Sequence, residues 1–164
     1  MTTIVHCASV PFSCAQMFEL VNDIEQYPHF LPWCPDAKVQ KRTQDEIEAT
    51  VHFAKGIIGK SFTTLNKLLP HQRVEMRLLK GPFRYLEGTW HFESLAEKGS
   101  RITLNLSFEF NSKLLTITVG PIFHHIASTL VQAFTARAHQ IYSNHFDFRR
   151  GADAPEPPEC IRNT

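Results

Sequence analysis

Residues 73–110 read RVEMRLLKGPFRYLEGTWHFESLAEKGSRITLNLSFEF, and the alternation within them decides the fold. Val74, Met76 and Leu78 share one face of a strand. Leu86, Trp90 and Phe92 share one face of the next, broken by the small Gly88. Ile102, Leu104, Leu106, Phe108 and Phe110 make the longest apolar row. The intervening positions carry Arg73, Glu75, Arg77, Glu87, His91, Glu93, Arg101 and Glu109. A period of two with one dry and one wet side predicts antiparallel strands covered on one face only.

The pattern extends in both directions. Upstream, Ile47, Ala49, Val51 and Phe53 alternate with Glu48 and His52, so that six strands follow one another from about Pro35 to Asn111. Before them, Thr3 to Val10 reads as another strand. Pro11 and Ser13 then open a short helix with Met17, Phe18, Leu20, Val21 and Ile24 as its apolar stripe. A second short helix or turn near Asp23 to Tyr27 is stopped by Pro28 and Pro32. Downstream, Gly120-Pro121 places proline where a helix can begin. From there to about Phe146, Ile122, Phe123, Ile126, Leu130, Ala133, Phe134 and Ile141 recur at helical spacing. Such a helix of ~26 residues reaches ~39 Å, long enough to cross a whole sheet. The expected fold is α+β: a seven-stranded antiparallel sheet wrapped around a long C-terminal helix, with two short helices after strand 1. Residues 1–146 form one domain. Residues 147–164, with Arg149-Arg150 and Pro155-Glu156-Pro157-Pro158, read as a flexible tail.

The connections are asymmetric. In a meander they alternate between the two ends of the sheet. One set is polar: Thr43-Gln44-Asp45-Glu46, Pro70-His71-Gln72-Arg73 and the stretch from Ala96 to Ser100. The other is apolar: Leu31-Pro32-Trp33-Cys34-Pro35, Gly56-Ile57-Ile58-Gly59, Gly81-Pro82-Phe83, and Leu114 through Phe123. Loops ordinarily face water, so an apolar rim suggests a mouth, a lipid contact or a partner surface. A curved sheet on one helix is hard to fill with side chains, and Gly88 leaves room. A hollow core opening at that rim and a solid core with ordinary loops both fit the pattern.

Composition sets outer bounds. Hydrophobic residues make up 43% and charged residues 20% of the 164, and the formal net charge is +1. This fits a soluble globular domain and leaves no global field to select nucleic acid or an acidic membrane. No apolar stretch approaches the ~20 residues of a membrane span. The N-terminus lacks the charged-then-apolar pattern of a signal peptide and is not an Arg-rich presequence. Cys7, Cys14, Cys34 and Cys160 show no metal-ligand spacing, as expected of reduced thiols in the cytoplasm, so any membrane role is peripheral.

The order of elements resembles the START-like helix-grip superfamily of polyketide cyclases and lipid transporters. More narrowly, Tyr27-Pro28-His29-Phe30-Leu31-Pro32-Trp33-Cys34 resembles the signature of the coenzyme Q-binding START-like proteins. Lys55 through Thr64 and Gly81-Pro82-Phe83 through Leu86-Glu87-Gly88-Thr89-Trp90-His91-Phe92 fit the same family. The resemblance covers about Thr3 to His145. It implies a lipid-quinone binder; eukaryotic members are mitochondrial and support respiration and coenzyme Q biosynthesis. Its bacterial members include a ribosome association toxin that blocks joining of the ribosomal subunits. The lack of a presequence fits a bacterial member. One fold carries both functions, so the resemblance does not choose between them.

Candidate residues follow. Pocket lining is expected from Tyr27, Phe30, Trp33, Val51, Phe53, Met76, Trp90, Phe92, Leu106, Phe108, Ile126, Leu130 and Phe134, all of which serve equally as core. Asn66 and Arg137 are the candidate donors to a quinone head, although Arg137 also reads as a stem packed on the sheet with its charge in water. Ile57, Ile58, Phe83 and Ile122 are expected at the mouth or against a membrane. Contact with ribosomal RNA would fall to Arg73, Arg77, Lys80 and Arg84, which also read as part of a solvated mixed surface. Cys34 has no neighbour in sequence that would activate it. The nine histidines offer no metal-ligand spacing on the long helix, and no metal is expected. No nucleophile elbow, phosphate loop or dinucleotide fingerprint is present, so no catalytic residue and no required cofactor are expected. The first reading is a carrier that takes up ubiquinone or a related polyprenyl lipid through the apolar rim and makes transient contact with the inner membrane. The alternative is an inhibitor of translation that acts on ribosomal subunits, the large one in particular.

Overall fold

The computed structural model describes residues 1–96, 98–143 and 160–163. Strand β1 (Thr2–Val10) leads into helix α1 (Cys14–Asn22), whose start is fixed reciprocally. Ser13 Oγ accepts from the Gln16 N–H at 3.1 Å, and Gln16 Oε1 accepts from the Ser13 N–H at 2.9 Å. Helix α1 buries Met17, Phe18, Leu20 and Val21, and a two-turn 3-10 helix (Ile24–His29) follows. The meander is β2 (Asp36–Arg42), β3 (Glu46–Lys55), β4 (Ile58–Leu69), β5 (Arg73–Lys80), β6 (Phe83–Ser94) and β7 (Ser100–Phe110). Two helices close the domain: α2 (Lys113–Thr118), where the sequence suggested only an apolar connection, and α3 (Gly120–Tyr142).

Every strand pairing is antiparallel, and β1 returns to pair with β7, Ile4 lying opposite Leu106. The seven expected strands are joined by an eighth: β8 (Cys160–Asn163) pairs with the outer edge of β1, with Cys7 opposite Cys160. This gives the order β2-β3-β4-β5-β6-β7-β1-β8. The rest of the expected tail, and the reach of the last helix to Phe146, lie outside the described residues. Register shifts at Val39/Lys41, Thr63/Thr64 and Phe83/Tyr85 mark bulges. Bulges add twist and bend, and here they curl the sheet over α3.

The dry faces are those the alternation assigned: Ile47, Ala49, Phe53, Val74, Leu86, Trp90, Phe92 and the whole row from Ile102 to Phe110 are buried. The stripe of α3 is rotated from the expected one. It buries Phe123, Ile126, Ala127, Val131, Phe134 and Ala138, while Ile141 is exposed and Ala133 half-buried. Small Ala127 and Ala138 let the helix backbone approach the concave sheet, which bulkier residues at those positions would prevent.

Gly88 does not leave a space. A Cβ there would lie 2.8 Å from Met76 Cε and 2.9 Å from Leu106 Cδ1, so the neighbouring side chains already fill the gap. No helix among the described residues is long and apolar enough to cross a membrane.

Candidate functional site

Between the sheet and α3 lies an apolar cavity of about 90 Å³. Nine of the expected lining residues surround it: Tyr27, Trp33, Val51, Met76, Trp90, Leu106, Ile126, Leu130 and Phe134. Four do not reach it. Phe30 packs edge-on against Tyr27 and Phe134, Phe92 edge-on against Phe18, and Phe108 edge-on against Phe83, Phe110 and Phe123, while Phe53 packs at a tilt against Phe62 and Phe123. The cavity also takes Ala49, Phe62, Thr64, Leu86, Leu104, Phe123 and Ala127 from positions the first reading did not select, and Ile24, there assigned only to a helix stripe. Ala49, Thr64, Leu104 and Ala127 lie one or two residues from positions chosen as lining or donor, whereas Phe62, Leu86 and Phe123 lie three or four away along the same elements.

The polar content of the cavity is small and local. Thr64 and Asn66 lie two apart on β4, both buried, and Thr64 Oγ1 donates to Asn66 Oδ1 at 2.8 Å. Tyr27 turns its hydroxyl away to donate to the Val21 carbonyl at the end of α1. Burial, reinforced by Cys34 and Asp23, pushes that hydroxyl far above its ordinary range. Among the described residues, no carboxylate, imidazole, amine or thiol lines the cavity, and its two hydroxyls, those of Tyr27 and Thr64, are both already donated within the fold. Arg137 does not line it either; its guanidinium lies 5.2 Å from the centre of the Phe30 ring, a cation–π contact. Cys34 is buried and donates to the Asp36 carbonyl at 3.4 Å; desolvation pushes its thiol up to about 11, which keeps it protonated and unreactive.

The apolar connections do gather at one end, because all lie where β3 and β7 end and β4 and β6 begin. That end is stoppered inside. Phe123, in the first turn of α3, meets the rings of Phe53, Phe62, Phe83, Phe108 and Phe110 with centroids 4.7–6.0 Å apart. Of the four residues expected at a mouth, Phe83 is therefore part of the plug, Ile58 and Ile122 are half-buried, and Ile57 alone stands free in solvent. The reason is local. Gly56-Ile57 is a two-residue hairpin connection with Gly56 at φ 61, the turn geometry that glycine permits in its first position. It carries the next side chain to the tip. Outside the plug an open cleft of about 500 Å³ runs between Pro32, Lys55, Pro121 and His125. Trp33 and Ile126 line both the cleft and the inner cavity and so separate them.

The four cations considered for RNA divide between two places. Arg73 and Arg77 stand on the outer sheet face, Arg73 at 3.2 Å from Glu75 and Arg77 opposite Glu87. Lys80 and Arg84 lie at the apolar end, exposed. Among the described residues, no three His, Cys, Asp or Glu side chains converge on a point that could hold a metal ion.

Comparison with known proteins fits this architecture. Residues 10–135 match the family described as polyketide cyclase/dehydrase and lipid transport, and the chain belongs to that family. It is 42% identical over 141 residues to the ribosome association toxin RatA of Pseudomonas aeruginosa, across 86% of this chain and 98% of that one. It is 28% identical to the mitochondrial coenzyme Q-binding protein COQ10 homolog B of Xenopus laevis, across 80% of this chain and 55% of that one. The crystal structure of the Zhui aromatase/cyclase from Streptomyces sp. R1128 superposes with a TM-score of 0.77 at 13% identity, covering 90% of this chain and all of that one, which is a likeness of fold.

Proposed function

We propose that this member of the polyketide cyclase/dehydrase and lipid transport family acts on the ribosome, binding a subunit so that the two do not join and translation is inhibited. The observation that carries this reading is the 42% identity, over 86% of this chain and 98% of the other, with a relative named a ribosome association toxin. The action is one of binding, without covalent chemistry.

The size of the cavity also favours this reading over a quinone carrier. About 90 Å³ is less than the ~150 Å³ cavity known to hold a benzene ring. A quinone head with even a short isoprenoid tail needs α3 and the Phe123 plug to part first. The likeness to a coenzyme Q-binding protein is weaker, at 28% identity.

Sucrose-gradient sedimentation of purified ribosomal subunits with equimolar protein tests the proposal. The expected result is a shift from joined ribosomes to free subunits, with the protein travelling with one of them. Unchanged joining, with the protein left at the top of the gradient, overturns it. Solvent extraction and mass spectrometry of the natively expressed protein should yield only trace quinone; a stoichiometric quinone returns the carrier to first place.

A further inference from the structure

The stoppered end of the sheet carries a second feature. Three aliphatic side chains there stand in water: Ile57 at the hairpin tip, with Leu114 and Ile117 on α2 at 70% and 73% exposure. Single exposed aliphatics are ordinary, but these three stand at the same end of the sheet. Two open clefts flank the start of α3. The one beside Gly56 and the one beside Lys113 and Thr116 share Pro121 as a common wall. Helix α2 buries none of its residues, yet it is held in place: Ser112 Oγ accepts from the Leu115 N–H at 3.1 Å. It is an ordered turn that presents leucine and isoleucine outward.

The charges around this patch are predominantly positive. Across residues 32–36, 54–60, 80–84 and 109–122 the cations are Lys55, Lys60, Lys80, Arg84 and Lys113, all exposed, against Asp36 and Glu109. The chain as a whole carries only +1, so this end is basic by placement and not by composition.

We infer that this end docks peripherally on an anionic lipid bilayer, with Ile57, Leu114 and Ile117 entering the headgroup boundary and the surrounding lysines meeting lipid phosphates. Aliphatic tips ringed by lysine are what such a surface selects: apolar burial supplies affinity and the cations supply attraction to anionic lipid. RNA is the poorer fit, because its unpaired bases favour aromatic platforms and arginine, whereas the exposed apolar groups here are branched aliphatics and four of the five cations are lysine. A second copy of the chain is also a poorer fit, since a two-fold interface would set these lysines against one another. The inference is independent of the ribosomal reading and stands or falls without it.

Flotation with vesicles is the test. The intact protein is mixed at low salt with vesicles of pure phosphatidylcholine, or of equal parts phosphatidylcholine and phosphatidylglycerol. It is expected to float with the mixed vesicles, to float far less with the neutral ones, and to be released by high salt. Ile57→Asp/Leu114→Asp/Ile117→Asp should lower the bound fraction about tenfold or more, since three partly inserted side chains are lost. The substituted positions are exposed, and a far-UV spectrum checks that the variant is folded. Lys55→Gln/Lys113→Gln, which leaves the apolar tips in place, should weaken binding to the mixed vesicles alone. The inference is overturned if the wild type floats with neither vesicle, or if the triple variant floats as the wild type does. It is also overturned if that variant loses co-sedimentation with ribosomal subunits while its flotation is unchanged.

Discussion

The ring of Phe123 stands edge-on to that of Phe108, centroids 4.7 Å apart and planes at 80°, and this contact anchors the stopper at the apolar end of the sheet. Phe123→Ala removes the centre of a six-ring cluster. It should cost about 3–5 kcal/mol, the usual range for a buried phenylalanine. The vacated volume adjoins the inner cavity that Phe123 already lines, so a surviving folded fraction should bind a hydrophobic dye that the wild type excludes. Urea unfolding and dye fluorescence read the two effects; destabilisation under 1 kcal/mol, or no gain of dye binding, contradicts the stopper.

The Thr64–Asn66 bond is the polar element of an otherwise dry chamber. Asn66→Ala should destabilise by about 1–3 kcal/mol, because the buried Thr64 hydroxyl loses its acceptor. Thr64→Val/Asn66→Leu, which removes both partners, should cost less than Asn66→Ala alone. Chemical denaturation of the three proteins decides it, and additive losses would mean the two groups do not act as a pair.

A Cβ at Gly88 would come within 2.8 Å of Met76 Cε and 2.9 Å of Leu106 Cδ1, the ends of two flexible side chains that border the inner cavity. Gly88→Ala should therefore cost about 1 kcal/mol or less, since those ends can shift. Adding Met76→Ala, which removes one of the two colliding atoms, should recover part of that loss even though Met76→Ala alone destabilises. A double-mutant cycle measures the recovery; its absence would show that the strand backbone yields instead.

Alkaline pH probes the buried thiol. Burial raises Cys34 from an ordinary 9.0 to about 11, so the folded state holds a proton that the unfolded chain releases. The sign follows: this contribution is complete below pH 9 and is lost as pH rises to about 11. Cys34→Ala carries no such term. The stability gap between wild type and Cys34→Ala should accordingly narrow between pH 9 and 11, as followed by urea unfolding at each pH, and a constant gap would contradict the burial of the thiol.

On the outer sheet face, Arg77 lies opposite Glu87, with Arg73 beside Glu75 on the same strand. Arg77→Glu sets like charges across the ladder and should cost about 0.2–1 kcal/mol, more at low salt than at high. Arg73→Gln/Arg77→Gln should leave co-sedimentation with ribosomal subunits nearly unchanged, because acids already offset these cations. Loss of co-sedimentation in that variant would place the ribosomal contact on this face.

Much of this molecule is written in local pattern. The period-two rows from Val74 to Phe110, Ser13 before an apolar helical stripe, and proline after Gly120 fix the strands, their faces and the helix starts. Each depends on residues a few positions apart meeting water or core, or satisfying their own backbone. The gathering of apolar connections at one end is legible too, since alternation of a meander assigns every turn to an end. Tertiary structure alone decided what that end is. Whether Gly88 leaves a hole depended on Met76 and Leu106 from two other strands; whether the rim is open depended on Phe123 meeting five rings from four strands. The volume left between sheet and helix is a small difference between large volumes supplied by many elements, and sequence spacing fixes a side chain's face without fixing the rotamer that fills the space.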